Sequence, residues 1–305
     1  MRGYKGAVDA VTHEEPGLPT IGDALYQSSK QLLSAGIDTG SLEASLLLGR
    51  ATGLDRLRLI NHTADELSTD DWRCFQGLLK RRLAREPLQY ILGETEFMGM
   101  RFAVAPSVLI PRPDTETLVE AILDLEEEHA QPRPVHIADI GTGSGIIAIT
   151  LVKSLPYLQA IASDISSEAL DVARLNAEAH RVTDHIEFRQ ADGLAALAGP
   201  VHYLISNPPY IAEDELANLE PEVRDHEPIA ALTPGPDALR WYKVFAHEGA
   251  AFVEPGGYLA LEVGAGQAGA VLAELAASGF WETPTVKSDL GGIARVILAR
   301  RRPAG

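Results

Sequence analysis

The chain has 305 residues, room for one large α/β domain and a smaller one, and 46% of them are hydrophobic, as in folded globular proteins. A formal net charge of −17 argues against a broad phosphate-binding surface, though not against a local basic patch. Cys74 is the only cysteine, which excludes an internal disulfide and fits a reducing cytoplasm; no apolar run is long enough to cross a membrane, and residues 1–19 are expected to be a flexible extension rather than a signal peptide.

Residues 20–86 are predicted to be a small helical domain. Thr20 can cap a first helix with Leu25, Leu32 and Leu33 on its apolar side and Gly36 as its stop. A second helix is expected from Ser41 through Leu48. A third starts near Ser68 or Thr69, with Trp72, Phe75, Leu78, Leu79 and Leu83 as its stripe and Cys74 a packed or incidental thiol. Its last turn carries Lys80, Arg81, Arg82 and Arg85, which suits a helix C-terminus better than nucleic acid.

From residue 87 to 111, short apolar stretches containing Tyr90, Ile91, Phe97, Phe102, Val104, Val108 and Ile110 are cut by Gly93, Gly99 and Pro106, the pattern of a β-hairpin linker. Asp114 or Thr115 can cap the next helix, buried through Leu118, Val119, Ile122 and Leu123 and ending in a solvated run from Glu126 to Glu128. From there to residue 305, apolar strands alternate with helices, which predicts a mostly parallel sheet covered on both faces. The strands are expected at residues 135–140, 160–163, 186–188, 202–206, 258–263 and 294–299, and Ser167 can cap the helix after the second. Residues 211–236 form an acidic, proline-containing insertion.

Four polar features fall at predicted strand ends, where such sheets bind ligands. The first strand runs into Asp139-Ile140-Gly141-Thr142-Gly143-Ser144-Gly145 and then a helix, the opening of a nucleotide-binding βαβ unit. The spacing Gly-x-Gly-x-Gly is an imperfect match to the dinucleotide fingerprint, and no Gly-Lys-Ser/Thr is present to make a P-loop. Asp164 ends the second strand and can accept from both ribose hydroxyls, and Asp192-Gly193 follows the third. The fourth runs into Asn207-Pro208-Pro209-Tyr210. The prolines end the pairing and restrain their own carbonyls, Asn207 adds a side-chain acceptor, and Tyr210 adds a flat face, a set suited to a planar NH2. Alone, that tetrapeptide is equally a tight surface turn.

Taken together, the Gly-rich loop, Asp164 and Asn207 to Tyr210 resemble the class I S-adenosylmethionine-dependent methyltransferases. With Arg85-Glu86-Pro87-Leu88-Gln89-Tyr90-Ile91-Leu92-Gly93, the run from Ile110 to Glu116, Ile211 and His226-Glu227-Pro228, the chain is similar over residues 20–300 to the HemK/PrmC family. These are protein-(glutamine-N5) methyltransferases of class 1 peptide chain release factors. The resemblance implies a Rossmann-like class I methyltransferase sheet over 112–305, the small helical domain as a substrate-recognition module, and a cytoplasmic enzyme acting on the glutamine of the release factor GGQ motif. It implies a cofactor site of Gly141, Thr142, Gly143, Ser144, Gly145, Asp164, Asp192, Gly193 and Asn207. Catalysis would fall to Asn207, Pro208 and Tyr210, and substrate binding to Asn207, Pro208, Pro209 and Tyr210. Many relatives carry an aromatic residue where this chain has Gly193, which leaves the neighbour of the adenine to be found.

No histidine pattern suggests a metal site. Glu227 and Arg112 are each either substrate contacts or structural partners. Two other functions fit parts of the pattern. A nucleic-acid methyltransferase acting on adenine N6 or guanine N2 would use the same acceptors on a flipped base, but the acidic charge and the lack of a basic target-binding domain count against it. A non-catalytic cofactor-binding scaffold would not need the acceptor loop.

Overall fold

The computed structural model describes residues 17–128, 131 and 133–303, so most of the expected extension over 1–19 lies outside the described residues. The chain divides into two compact units that meet between Ile91 and Leu92.

The first unit contains α1 (Ile21–Ser34), α2 (Gly40–Thr52), α3 (Arg56–Asn61) and α4 (Thr69–Leu83), followed by α5 (Leu88–Leu92). Side-chain caps begin three of them: Thr20 accepts from the Asp23 amide, Asp55 from Arg58 and Ser68 from Asp71. Gly40 lets α2 approach α1, because a Cβ there would stand 3.0 Å from the Leu32 Cβ. The buried side of α1 is Ile21, Ala24, Ser28 and Leu32; Leu33, expected inside, is one position out of phase and exposed. Cys74 is exposed on α4, so it is not a packed thiol. The basic cluster also differs from expectation. Arg82 is buried and donates to Glu43 on α2, and Arg81 pairs with Glu86, so charge partners as well as the helix dipole fix these side chains.

The second unit opens with a hairpin of β1 (Glu94–Phe97) and β2 (Met100–Ala103). Met98 and Gly99 both have positive φ at its two-residue turn, the conformation that matches strand twist. The strands are shorter than the expected span of 87–111, and Tyr90 and Ile91 are helical in α5. Asn176 ties the hairpin to α8 (Ser167–His180), accepting from the Ala103 amide at 2.7 Å and donating to the Ala103 carbonyl at 3.0 Å.

Beyond the hairpin, α6 (Glu116–Glu128), β3 (Val135–Ile140), α7 (Ile146–Ser154) and β4 (Leu158–Asp164) precede α8. Then come β5 (Ile186–Gln190), β6 (Val201–Ser206), α9 (Pro221–His226), α10 (Ile229–Leu232), α11 (Arg240–His247), β7 (Val253–Glu262), α12 (Ala268–Ser278), β8 (Thr285–Ser288) and β9 (Ala294–Arg300). The seven-stranded sheet has the order β5-β4-β3-β6-β7-β9-β8, parallel from β5 to β7 and antiparallel at β9 and β8.

Alternation along the strands fills two apolar layers, with Ile137, Tyr203 and Ile205 on one face and Ala138, Leu204 and Leu259 on the other. β8 is absent from the sequence prediction because its burial is slight. One acid stands elsewhere than expected. Glu126 is buried rather than solvated, and accepts from the Tyr203 hydroxyl at 2.5 Å and from the Tyr157 hydroxyl at 2.9 Å. Two caps move as well. Ser166, not Ser167, accepts from the Ala169 amide, and a 3-10 turn from Pro113 to Thr115 precedes α6 in place of a simple cap. On α8, Leu175 is exposed, whereas Leu170 and Ala173 are buried.

Candidate active site

The strand order brings the four polar strand ends together. β6, β3, β4 and β5 are neighbours, so the loops after them lie along one rim. After β3 the chain turns sharply, and the amides of Gly141 and Thr142 both bond to the Ser163 carbonyl, at 2.9 and 2.8 Å. Gly141, Gly143 and Gly145 all have positive φ. Their surroundings differ. A Cβ on Gly141 or Gly143 would meet nothing within 4 Å, so the loop presents bare backbone, whereas a Cβ on Gly145 would stand 2.8 Å from Ile149. Gly145 is therefore a packing glycine, and Gly141 and Gly143 are open.

Asp139, fully buried below this loop, accepts from the Thr142 hydroxyl at 2.6 Å and from the Ala148 amide. Burial pushes its carboxyl up to about 6, against those hydrogen bonds. Asp164 accepts from the Gly143 amide through one oxygen and from the Ser166 amide through the other, each at 3.0 Å. It thus clamps the glycine loop while it also faces the cavity.

The β6 end is organised by side chains. The Ser206 hydroxyl donates to the Ile140 carbonyl at 2.7 Å, joining it to β3. The Asn207 side-chain nitrogen donates to the Thr115 hydroxyl oxygen at 3.3 Å, which leaves its oxygen as the free end of the amide. Beneath them lies Glu262, 1% exposed at the end of β7, with one oxygen that has no hydrogen-bond partner. Burial pushes its carboxyl up to about 7; hydrogen bonds from Thr115 and Asn207 and the charge of Arg295 act the other way, while Asp114 adds to the rise. Arg295 reaches Asp114 at 2.7 Å and Asp289 at 2.9 Å, so Asp114 serves an ion pair rather than a helix cap.

Tyr210 is held from behind, its carbonyl accepting from Gln267 at 2.8 Å and its ring against Gly264, where a Cβ would stand 2.9 Å away. Its desolvated hydroxyl titrates above the usual range.

These loops surround a cavity of about 380 Å³. Of the residues expected in the site, Gly141, Gly143, Asp164, Asp192, Gly193, Asn207, Pro208 and Pro209 line it. Among the described residues, Thr142, Ser144, Gly145 and Tyr210 do not. Thr142 and Ser144 are buried in the loop's support: Thr142 bonds to Asp139, and the Ser144 carbonyl accepts from Asn176.

Other walls come from segments to which the sequence assigned no site role. Val108 and Leu109 come from the loop after the hairpin, Pro228 and Ala231 from the acidic insertion, and Trp241 and Phe245 from α11. Apolar residues in loops carry no local signal for a binding wall. Glu227 is buried and accepts from Arg112 at 2.6 Å and from the Ile110 amide at 3.4 Å, so the two residues singled out beside the insertion are each other's partners.

With that geometry in view, the family descriptions fit both units. The PrmC N-terminal domain family matches residues 23–93, and the methyltransferase small domain family matches residues 115–220. The chain is 42% identical to the release factor glutamine methyltransferase of Cereibacter sphaeroides, over 91% of this chain and 97% of that one. It is 40% identical to the protein of the same name from Geobacter sulfurreducens, over 94% and 99%. Among solved structures, the catalytic domain of hMettl16 in complex with MAT2A 3′UTR hairpin 6 matches with a TM-score of 0.54 at 17% identity, covering 73% of this chain and 81% of that one. That likeness is one of fold alone.

Proposed function

Because the chain belongs to the release factor glutamine methyltransferase family, we propose that it transfers a methyl group from S-adenosylmethionine to the side-chain amide nitrogen (N5) of the GGQ glutamine of class 1 release factors in the cytoplasm. The observation that carries this reading is the Asn207 amide, fixed through its nitrogen to Thr115 while it lines the same cavity as the bare backbone of Gly141 and Gly143.

S-adenosylmethionine supplies an electrophilic methyl carbon on a sulfonium. Gly141 and Gly143 would take its amino-acid part, since nothing projects from them, and Asp164 and Asp192, which line the same cavity, would take the ribose and base. An amide nitrogen is a weak nucleophile, so the work of the protein is positioning. The Asn207 side-chain oxygen and the Pro208 carbonyl would accept the two amide hydrogens and hold the nitrogen toward the methyl group. Positive charge grows on that nitrogen during attack, so fixed acceptors stabilise the transition state more than the ground state. The nitrogen becomes acidic only after transfer, so no base is needed beforehand. Tyr210 backs the loop rather than forming the cavity wall.

The helical unit orients the protein substrate: a chain lacking residues 1 to about 85 is expected to bind cofactor yet fail to methylate an intact release factor. The test of the whole reading is incubation with labelled cofactor, release factor, RNA and DNA. Label on the glutamine amide is the expected result, and label on a nucleic-acid amino group would overturn it.

A further inference from the structure

The cavity is elongated. Its lining runs from Asn207 after β6, past Gly141 and Gly143 after β3 and Asp164 after β4, to Asp192 and Gly193 after β5. Adjacent strands lie ~4.8 Å apart, so the path across four strand ends is roughly 14 Å. The acceptor loop occupies one end. Near Gly193 the wall is the indole of Trp241.

Two aromatic side chains line the cavity. Phe245 is 1% exposed and belongs to the core, whereas Trp241 is only partly buried. Gly193 has φ +53°, and a Cβ on it would stand 2.5 Å from Trp241 Cζ3 and 2.9 Å from Cη2. No side chain fits there, so the ring rests directly on the backbone that follows Asp192. Phe245, with its centroid 6.2 Å away, and the Arg240 guanidinium, 5.2 Å from the ring centroid, hold the indole from within α11.

We propose that Trp241 is the wall against which the adenine of the cofactor lies, and that Gly193 is kept without a side chain so that this ring can reach the Asp192 end. The proposal rests on the cofactor assignment above. A purine is a flat heterocycle with polar edges. It needs an apolar plane for its face and acceptors at its rim. Trp241 supplies the plane and Asp192, exposed beside it, an acceptor for an exocyclic amino group. The two residues act as a pair: a larger residue at 193 displaces the indole, and loss of the indole removes the steric reason for glycine, leaving only the positive φ.

The test uses S-adenosylhomocysteine and the full chain. By calorimetry, Trp241→Ala should bind it roughly 5- to 160-fold more weakly, the range for losing one base–aromatic contact. Trp241→Phe keeps a ring and should bind nearly normally. It should lose most of the ligand-induced quenching of tryptophan emission, because neither Trp72 nor Trp281 lines the cavity. Gly193→Ala should weaken binding in the unaltered chain and cost clearly less in the Trp241→Ala background. Unchanged affinity of Trp241→Ala, undiminished quenching in Trp241→Phe, or equal cost of Gly193→Ala in both backgrounds overturns the assignment. If Trp241→Ala does not fold, the quenching of Trp241→Phe decides. Failure of the unaltered chain to bind the probe would instead sink the cofactor reading itself.

Discussion

The two ends of the cavity are built by opposite means. At the β6 end the working acceptors are one side-chain oxygen, of Asn207, and one proline-restrained carbonyl, of Pro208, and side chains hold the loop: Thr115 bonds to Asn207, Glu262 to Thr115, and Gln267 to the Tyr210 carbonyl. At the β3 to β5 end the working surface is bare backbone at Gly141 and Gly143, with Asp164 clamping the loop and Trp241 closing the wall. Backbone offers the same groups to a ligand before and after reaction, so it suits binding. Oriented acceptors respond to charge that appears only in the transition state, so they suit catalysis. Changes at the two ends should therefore fail in different measurements.

The largest separation is expected from Asn207→Ala. The prolines restrain the loop without the Asn side chain. Single-turnover transfer at saturating cofactor should fall on the order of 10²–10³-fold, as for loss of one preorganised transition-state partner, with cofactor affinity nearly unchanged. Transfer at the normal rate would return the loop to the role of a turn. Asp164→Ala should do the reverse. Cofactor affinity should drop by roughly 1.5–3 kcal/mol, the range for hydrogen bonds to a charged group, while transfer at saturation stays within a few fold. Calorimetric titration checks the first figure. Because both Asp164 oxygens also accept backbone amides, some of that loss will come from a loosened glycine loop.

The alternation of apolar strands and helices made the sheet legible in the sequence, and the polar residues at strand ends made the rim legible. β8 escaped because its side chains are mostly exposed and carry no alternation. Glu126 and Glu262 escaped for a different reason. A buried acid is indistinguishable from a surface acid until the partners around it are known, and those of Glu126 lie 31 and 77 residues away. Trp241 was given no role by the sequence, and only its place in the cavity wall and its contact with Gly193 distinguish it. Thr142, Ser144 and Gly145 show the opposite limit. A motif marks a loop, but which of its residues face a cavity depends on the turn geometry.

The buried acids also give the two ends a common pH signature. Glu262 is raised from 4.5 to about 7 and Asp139 from 3.8 to about 6, both chiefly by burial. Between the ordinary and raised values the folded state holds more protons than the unfolded one, so stability falls as pH rises through those windows. The Glu262 contribution is fully present below about pH 4.5 and gone above about pH 7. Each group adds at most about 1.4 kcal/mol per pH unit to the slope. Glu262→Gln should flatten the fall up to pH 7, and Asp139→Asn should flatten only the part below pH 6. Denaturant midpoints at successive pH values will check this, and an unchanged slope in Glu262→Gln would mean that Glu262 is ionised throughout.

The smallest effect is expected one bond behind the acceptor. Thr115 touches no cavity space, yet its hydroxyl oxygen accepts from the Asn207 nitrogen and its proton serves Glu262. Thr115→Val keeps the shape and removes that relay. A single neutral hydrogen bond is worth ~0.5–1.5 kcal/mol, so transfer at saturation should fall roughly 2- to 10-fold, with cofactor affinity unaffected. A purely structural role would lower stability and leave single-turnover rates alone. A positioning role lowers the rate in protein that remains folded, because the Asn207 nitrogen is then held by Glu262 alone and its amide turns more easily. It also removes the hydrogen bond that pulls the Glu262 carboxyl down, so the Glu262 titration should move further up. If the rate and the titration both stay where they are, Asn207 is oriented by its own loop, and the contrast between the two ends stops at the lining residues.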